Sequence, residues 1–169
     1  MQGKSKYQDI LDSVSRLKEK RSNFETYWEE IAERCDPNSK AMFTGIQTAG
    51  EKRDQLVFDS TPIIALQRFA SILDSLLTPR NQKWHKIMPS NSDMMRDRET
   101  KLWFEQANDL LFKLRYAPIA NFSAQNQKDY LSLGAYGTSC MFTDELRGSG
   151  VAGFRYKSVH IAELSLIHI

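Results

Sequence analysis

The side chains that could do chemistry are few and widely spaced in this chain of 169 residues. Ser15 and Lys18 have the Ser-x-x-Lys spacing of a nucleophile activated by a lysine, but the charged segment around them contains none of the partner motifs of that chemistry. Cys140 follows a Gly-Thr-Ser segment, and we expect it to be a small apolar side chain in a buried strand rather than a nucleophile. The sequence therefore predicts no catalytic residues and no enzyme.

Ligands for a metal ion or a phosphate group are also missing at the required spacings. The histidines, His85, His160 and His168, include no pair at the i, i+4 spacing, and the two cysteines lie in distant parts of the chain. Residues 45–52, GIQTAGEK, have the glycine spacing of a phosphate-binding loop, but Glu51 stands where that motif requires a lysine, and its carboxylate would repel a phosphate. We therefore predict neither a metal site nor a cofactor.

The composition is that of a folded, unspecialised protein. Hydrophobic residues make up 41% and charged residues 26% of the chain, and the net charge of +2 is too small to attract nucleic acid by bulk electrostatics. The sequence contains no apolar run of about 18 residues, and MQGKSKYQD at its start lacks the apolar segment of a secretory signal. We expect no membrane partner and a reducing cytoplasm as the compartment.

Hydrophobic periodicity predicts an α+β fold in which about four helices are followed by the start of a β-sheet. A long amphipathic helix is expected over residues 5–35, with an apolar stripe that is interrupted by Arg21 and an end set by Asp36-Pro37. Residues 39–55 are interpreted as a loop. A second helix should begin near Asp59-Ser60-Thr61 and end before Pro79. Because it is apolar around most of its circumference, we expect it to be central to the core.

Weaker signals define the rest of the chain. A third helix is expected from about 92 to 116, capped by Ser92 or Asp93, and a fourth over 121–133, with Gly134 as its C-terminal stop. Residues 138–143 suggest a strand, 144–150 a loop and 151–159 a return strand.

An aromatic residue surrounded by cations follows the second helix. Arg80, Lys83 and Lys86 lie near Trp84, an arrangement that can bind single-stranded nucleic acid through ion pairs and base stacking. The same pattern is typical of a loop that its tryptophan anchors to the domain, and this is the interpretation that we prefer. These four residues are the candidates for DNA contact.

The last six residues, 164–169, read LSLIHI, which is the translation of a transposon-end sequencing adapter. Such a segment is set aside in the same way as a tag or a signal peptide. We therefore expect residues 1–163 to be native sequence that has been cut short, and residues 164–169 to be foreign.

Five blocks of sequence, in order, resemble the N-terminal region of podovirus-type phage portal proteins, the bacteriophage head-to-tail connecting proteins. The blocks are YWEEIAERCDP, GEKRDQLVFDSTPIIALQRFASILDSLLTP, QKWHKI, NFSAQNQKDYLSLGAYGTSCMF and GFRYKSVHIAE. The stretch from DSTPII to QKWHKI is the most specific, and the order of the blocks matters more than any one of them. The resemblance implies that residues 1–163 are the N-terminal part of an incomplete wing-like portal domain.

The resemblance also implies a function. Members of this family form a ring, generally of twelve subunits, at one capsid vertex of the virion, after assembly in the host bacterial cytoplasm. The ring is the passage for double-stranded DNA during packaging and ejection, and it docks the terminase, which hydrolyses ATP, and later the tail. The channel-lining residues would lie beyond Glu163. Two alternatives stay open: a stand-alone helical adaptor or scaffolding module, and a single-stranded nucleic-acid-binding domain.

Overall fold

The computed structural model of the protein describes residues 6–39, 42–43, 57–146 and 153–164. Within these residues, four α-helices precede two strands: α1 Lys6–Cys35, α2 Thr61–Leu77, α3 Arg98–Arg115, α4 Phe122–Tyr136, β1 Cys140–Leu146 and β2 Gly153–Val159. Short 3-10 helices cover Ser92–Arg96, Pro118–Ala120 and Ile161–Glu163. The predicted α+β class is confirmed. Most of the loop predicted over 39–55, including the phosphate-loop-like residues 45–52, lies outside the described residues, whereas Met42 and Phe43 are helical.

The first two helices begin and end where local chemistry requires it. After α1, the Asp36 N–H donates to the Ala32 carbonyl at 2.9 Å, and Pro37 prevents the helix from continuing. At the start of α2, the Asp59 carboxylate accepts hydrogen bonds from both the N–H and the hydroxyl of Thr61, at 2.9 and 2.7 Å. These two bonds lower the pKa of Asp59. The predicted bounds of both helices are confirmed.

The third predicted helix is divided into two elements. Ser92–Arg96 is a 3-10 helix capped by the Asn91 side chain, which accepts from the Asp93 N–H at 2.9 Å. Asp97 is extended, with φ −72° and ψ 129°, and its carboxylate accepts from the Thr100 N–H at 2.8 Å to begin α3. The prediction that Ser92 or Asp93 caps one continuous helix is therefore wrong, because Asn91 and Asp97 provide two separate caps.

The predicted stop of the fourth helix at Gly134 is also wrong. Helix α4 continues to Tyr136, and Gly137 ends it with φ +74° while its N–H donates to the Leu133 carbonyl at 3.0 Å. Gly134 is instead the point at which α2 approaches α4. A Cβ at this position would lie 2.8 Å from the Cδ1 atoms of Leu66 and Phe69, so any larger residue would force these two side chains to shift.

The first strand of the hairpin is shifted relative to the prediction: β1 begins at Cys140 rather than 138 and ends at Leu146 rather than 143. Its antiparallel register runs from Cys140 opposite Val159 to Leu146 opposite Gly153. Residues 144–146 therefore belong to β1 and not to the predicted loop, because their backbones pair with β2 while the polar side chains of 144 and 145 stay exposed. Residues 147–152 lie outside the described part of the chain. On the other side of β2, the Ser158 N–H donates to the Gln125 side chain of α4 at 2.9 Å.

The described core consists of two small clusters. Ala32, Tyr136 and Ile161 join α1, α4 and the 3-10 helix that follows β2. Ala120, Phe122 and Tyr156 join the hairpin to the start of α4, with Trp84 and Tyr116 packed against them.

The prediction that α2 is central to the core is wrong for this chain by itself. Ala70 is the residue of α2 that is buried. The helix packs on α4 through one side, yet several of its large apolar residues are exposed: Ile64, Phe69, Ile72, Leu76 and Leu77. An apolar circumference indicates that a helix is to be covered, but not which part of the polypeptide or assembly covers it.

Candidate functional site

Helix α4 has a polar buried side that holds the end of α2. The Thr78 hydroxyl donates to Asp74 at 2.9 Å, which leaves its two lone pairs for the Asn126 amide at 2.9 Å and the Tyr130 hydroxyl at 3.1 Å. Asn126 and Tyr130 are both buried. These bonds fix the point at which the chain leaves α2 and enters the loop that contains the candidate DNA contacts.

Several contacts join that loop to α3, and one of them runs through the Tyr116 hydroxyl at the end of the helix. The Trp84 indole N–H donates to the Tyr116 hydroxyl at 2.9 Å, and this hydroxyl donates to the Thr78 carbonyl at 3.0 Å. Burial raises the pKa of Tyr116, so the phenol keeps the proton that it donates.

The Trp84 ring is surrounded by other side chains. It is stacked with Phe122 at a centroid distance of 6.2 Å and an interplanar angle of 18°, and it lies 4.7 Å from the His85 ring. The Arg115 guanidinium lies 4.8 Å from the Trp84 ring centroid, within the range of a cation–π contact. A nucleobase would have to displace one of these groups in order to stack on Trp84. Contact between this residue and DNA stays a prediction.

The four candidates for DNA contact do not line one cavity. Lys83, Trp84 and Lys86 line a cavity of about 460 Å³ together with the acidic residues Glu105 and Asp109. Lys83 forms an ion pair with Asp109. Carboxylates beside the cations weaken their attraction for phosphate.

Arg80 lines a different cavity, of about 540 Å³, with Asp74 and Tyr116. Its guanidinium group is exposed, and the cavity contains part of the α4 N-terminal turn around Phe122. The sequence placed Arg80 and Lys86 in one basic cluster, whereas the structure separates the two.

Asn108 is a structural residue that the sequence analysis missed. Its amide is buried and accepts from the Ile87 N–H at 2.6 Å, while its NH₂ group donates to the carbonyls of Ile87 and Phe104 at 3.0 and 2.7 Å. The side chain thus pairs with the backbone of the loop as a neighbouring strand would. The available signal was a short polar side chain on a helix side that is otherwise apolar.

Arg21, noted only as an interruption of the α1 stripe, is a buried anchor. Its guanidinium donates to the carbonyl of Ile161 at 2.9 Å and to those of Ala162 and Leu164. Its Nε lies 2.7 Å from a carboxylate oxygen of Glu25. These contacts fasten the turn after β2 to α1.

The two described histidines act as neutral hydrogen-bond partners. Arg115 lies 3.1 Å from Nδ1 of His85, and the Ala162 N–H donates to Nδ1 of His160 at 3.2 Å. Burial lowers the pKa of both imidazoles, and the positive charge of Arg115 lowers that of His85 further. Across the described ranges, no group of three or more His, Cys, Asp or Glu side chains could hold a metal ion.

Two exposed apolar surfaces lie on the helices that flank this loop. We call Ile64, Ile72 and Leu76 the α2 stripe, and Leu102, Trp103 and Leu110 the α3 stripe; all six are exposed. Among the residues that the structure describes, no helix has the length and hydropathy needed to cross a membrane. Exposed apolar stripes of this kind are surfaces that other protein surfaces commonly cover.

Helices and a hairpin that leave such apolar stripes open are typical of a subunit of a structural assembly. Comparison with known proteins identifies the family. The sequence pattern of the family of bacteriophage head to tail connecting proteins matches residues 7–166. The chain belongs to this family, and the resemblance found in the sequence is confirmed.

A curated relative agrees with this assignment. The chain is 26% identical over 135 residues to the portal protein of Salmonella phage epsilon15. The matched part covers 78% of this chain and 23% of that protein, so the chain spans about a quarter of the length of the relative.

Proposed function

We propose that this chain is part of the ring subunit of a phage portal, the head-tail connector through which double-stranded DNA is packaged and ejected. The observation that carries the proposal is the family match over residues 7–166. The relative from phage epsilon15, which is named a portal protein, supports it. Since the match spans 23% of that relative, the chain corresponds to part of such a subunit.

The exposed stripes fit this role physically. A subunit of a closed ring makes a heterologous interface on each flank and so needs two different surfaces to bury against its neighbours. The α2 stripe and the α3 stripe are two such surfaces on one chain. We propose a ring of about twelve copies, located at a capsid vertex of the virion and assembled in the host bacterial cytoplasm.

The proposed partners are other copies of the chain, the capsid, the terminase, the tail and the DNA in the channel. In this proposal the subunit has no catalytic activity, and ATP hydrolysis belongs to the terminase. Arg80, Lys83, Trp84 and Lys86 remain the proposed DNA contacts within the chain, and other channel-lining residues lie beyond Glu163.

We also propose that residues 1–163 are native and that residues 164–169 are adapter sequence. The test is to resequence the template DNA across the codons that follow Glu163. An open frame that continues for several hundred residues without the adapter codons would support the proposal. A genuine stop codon after Ile169 would overturn it and favour the stand-alone helical adaptor.

The ring is tested by native mass spectrometry on the full-length gene product that contains this chain. We expect large closed rings whose mass is unchanged when salt and protein concentration are varied. Negative-stain electron microscopy should show a central opening in the same particles. A stable monomer or dimer under all these conditions would overturn the proposal.

A further inference from the structure

We propose that the α2 stripe of one copy packs against the α3 stripe of the next copy around the ring. This inference rests on the proposed function, because a ring requires a heterologous contact. It goes further by naming the two helix surfaces that meet.

The α2 stripe lies on the outer side of its helix. Ile64, Ile72 and Leu76 are 46%, 56% and 71% exposed, whereas Ala70, on the opposite side, is fully buried. From Ile64 to Leu76 the stripe is about 18 Å long, at 1.5 Å of rise per residue. Arg68 lies between these apolar residues on the same side of the helix and is exposed.

The α3 stripe has the same character and is shorter, about 12 Å from Leu102 to Leu110. Leu102, Trp103 and Leu110 are 52%, 62% and 57% exposed, whereas Asn108, on the opposite side, is 5% exposed. Glu99 lies on the same side in the first turn of α3. The distance along the helix from Glu99 to Leu110 is about 16 Å.

Charge favours a contact between unlike stripes over a contact between two α2 stripes. Two α2 stripes in contact would bring Arg68 of one copy towards Arg68 of the other, and like charges at an interface oppose association. An α2 stripe against an α3 stripe can instead bring Arg68 near Glu99 of the neighbour. Lys113 lies at the far end of α3, so this pairing also favours one direction of crossing.

The contact uses two different surfaces and therefore repeats from copy to copy. Each copy has one α2 stripe and one α3 stripe, and each pairing leaves one of each free until the ring closes. The other possible cover for the stripes is the remainder of the same polypeptide, since the relative is more than four times as long as the matched segment. Cross-linking separates these two cases.

The experiment places single cysteines in a full-length gene product in which Cys35→Ser, Cys140→Ser and the replacement of every other cysteine have removed the free thiols. Ile72→Cys and Trp103→Cys variants, which lie opposite each other when Arg68 is near Glu99, are given tags of different mass, co-expressed and oxidised. We expect a disulfide-linked dimer that contains both tags and disappears on reduction. Each variant expressed alone should give at most a small fraction of that dimer.

The control pair is Lys128→Cys on the exposed side of α4, co-expressed with Trp103→Cys, and it should give no specific dimer. A dimer from Ile72→Cys alone would overturn the proposal in favour of contact between two α2 stripes. Rings seen by native mass spectrometry without the mixed dimer would overturn the inference and leave the proposed function intact. If the cysteine variants do not assemble, Leu76→Cys with Leu110→Cys repeats the test at the next exposed positions of the two stripes. The absence of rings from the unsubstituted protein would overturn the proposed function itself.

Discussion

Trp84 and Tyr116 are joined by a hydrogen bond of 2.9 Å between the indole N–H and the phenol oxygen. The same phenol donates to the Thr78 carbonyl at 3.0 Å. A single hydroxyl group therefore joins the loop after α2, the end of α2 and the end of α3. Its loss would leave an indole donor and a backbone acceptor without these partners in a partly buried site.

Tyr116→Phe should lower the free energy of unfolding by about 1–3 kcal/mol, because both groups lose their hydrogen bonds while the ring stays in place. The measurement is chemical denaturation followed by circular dichroism. Tyr27→Phe is the matched control, since Tyr27 is exposed on α1, and it should have little effect. Equal stabilities of the Tyr116 and Tyr27 variants would contradict the role of this hydroxyl.

Stability should fall when the pH drops below about 6.5, the ordinary pKa of a histidine. Burial lowers the pKa of His160 and His85 in the folded state, so the unfolded chain binds more protons between the folded and unfolded pKa values. Protonation of Nδ1 of His160 would also remove the acceptor of the Ala162 N–H.

The check is the free energy of unfolding at pH 7.5 and at about pH 5.5. His160→Gln should weaken the loss of stability on acidification, because the amide does not titrate in this range. His85 should account for the remaining change. A pH profile of the variant identical to that of the natural chain would exclude His160 as a contributor.

Gly134→Ala should lower the free energy of unfolding by roughly 1 kcal/mol. The added methyl group would meet Leu66 and Phe69 at 2.8 Å. Overpacking of this kind costs about 1–3 kcal/mol. The better helix propensity of alanine offsets about 1 kcal/mol of that cost. Leu66→Ala removes one of the two clashing side chains. It should therefore cost less in the Gly134→Ala background than in the natural chain.

Gly137→Ala is the matched control for this pair. A methyl group at Gly137 meets no atom within 4 Å, but the φ of +74° is strained for alanine, at a cost of about 1–2 kcal/mol. Its effect should add independently to that of Leu66→Ala. If the effects of Gly134→Ala and Leu66→Ala were also additive, that result would contradict a close approach of α2 to α4 at Gly134.

If the loop cations contact DNA, replacing Arg80, Lys83 and Lys86 with alanine should lower oligonucleotide affinity. The slope of affinity against salt should also fall by about 1 for each phosphate group that the variant no longer binds. We expect Arg80→Ala and Lys86→Ala to account for most of the change, because Lys83 is already paired with Asp109. Lys128→Ala, at an exposed position on α4, is the control. An unchanged salt slope in the triple variant would remove these residues as DNA contacts.

Local chemistry explains which parts of the fold were predictable. The ends of α1 and α2 depend on Pro37, Pro79 and the Asp59 cap, all adjacent in sequence, and these predictions were confirmed. Two glycines near the end of α4 could each have ended it. Gly134 lies where α2 crosses α4, and hydrophobic periodicity does not predict that tertiary contact.

The long-range contacts explain the rest. The preferred interpretation of the sequence was that Trp84 anchors its loop. Its partner Tyr116 is 32 residues away, and nothing in the sequence pattern indicated that these two residues pair. Asn108 and Arg21 were each visible as a polar residue on an apolar helix side. Their partners, the backbones of 87 and of 161–164, could be known only from the fold.

Arg21 contacts the turn after β2 through main-chain carbonyl groups, which every amino acid possesses, proline included. The contact thus constrains the route of the polypeptide without constraining the side chain at 162. This position should therefore accept many residues, whereas position 21 should not, because lysine lacks the planar fork that reaches several acceptors at once. Mutational tolerance along this turn should be asymmetric, low at the arginine and high at position 162.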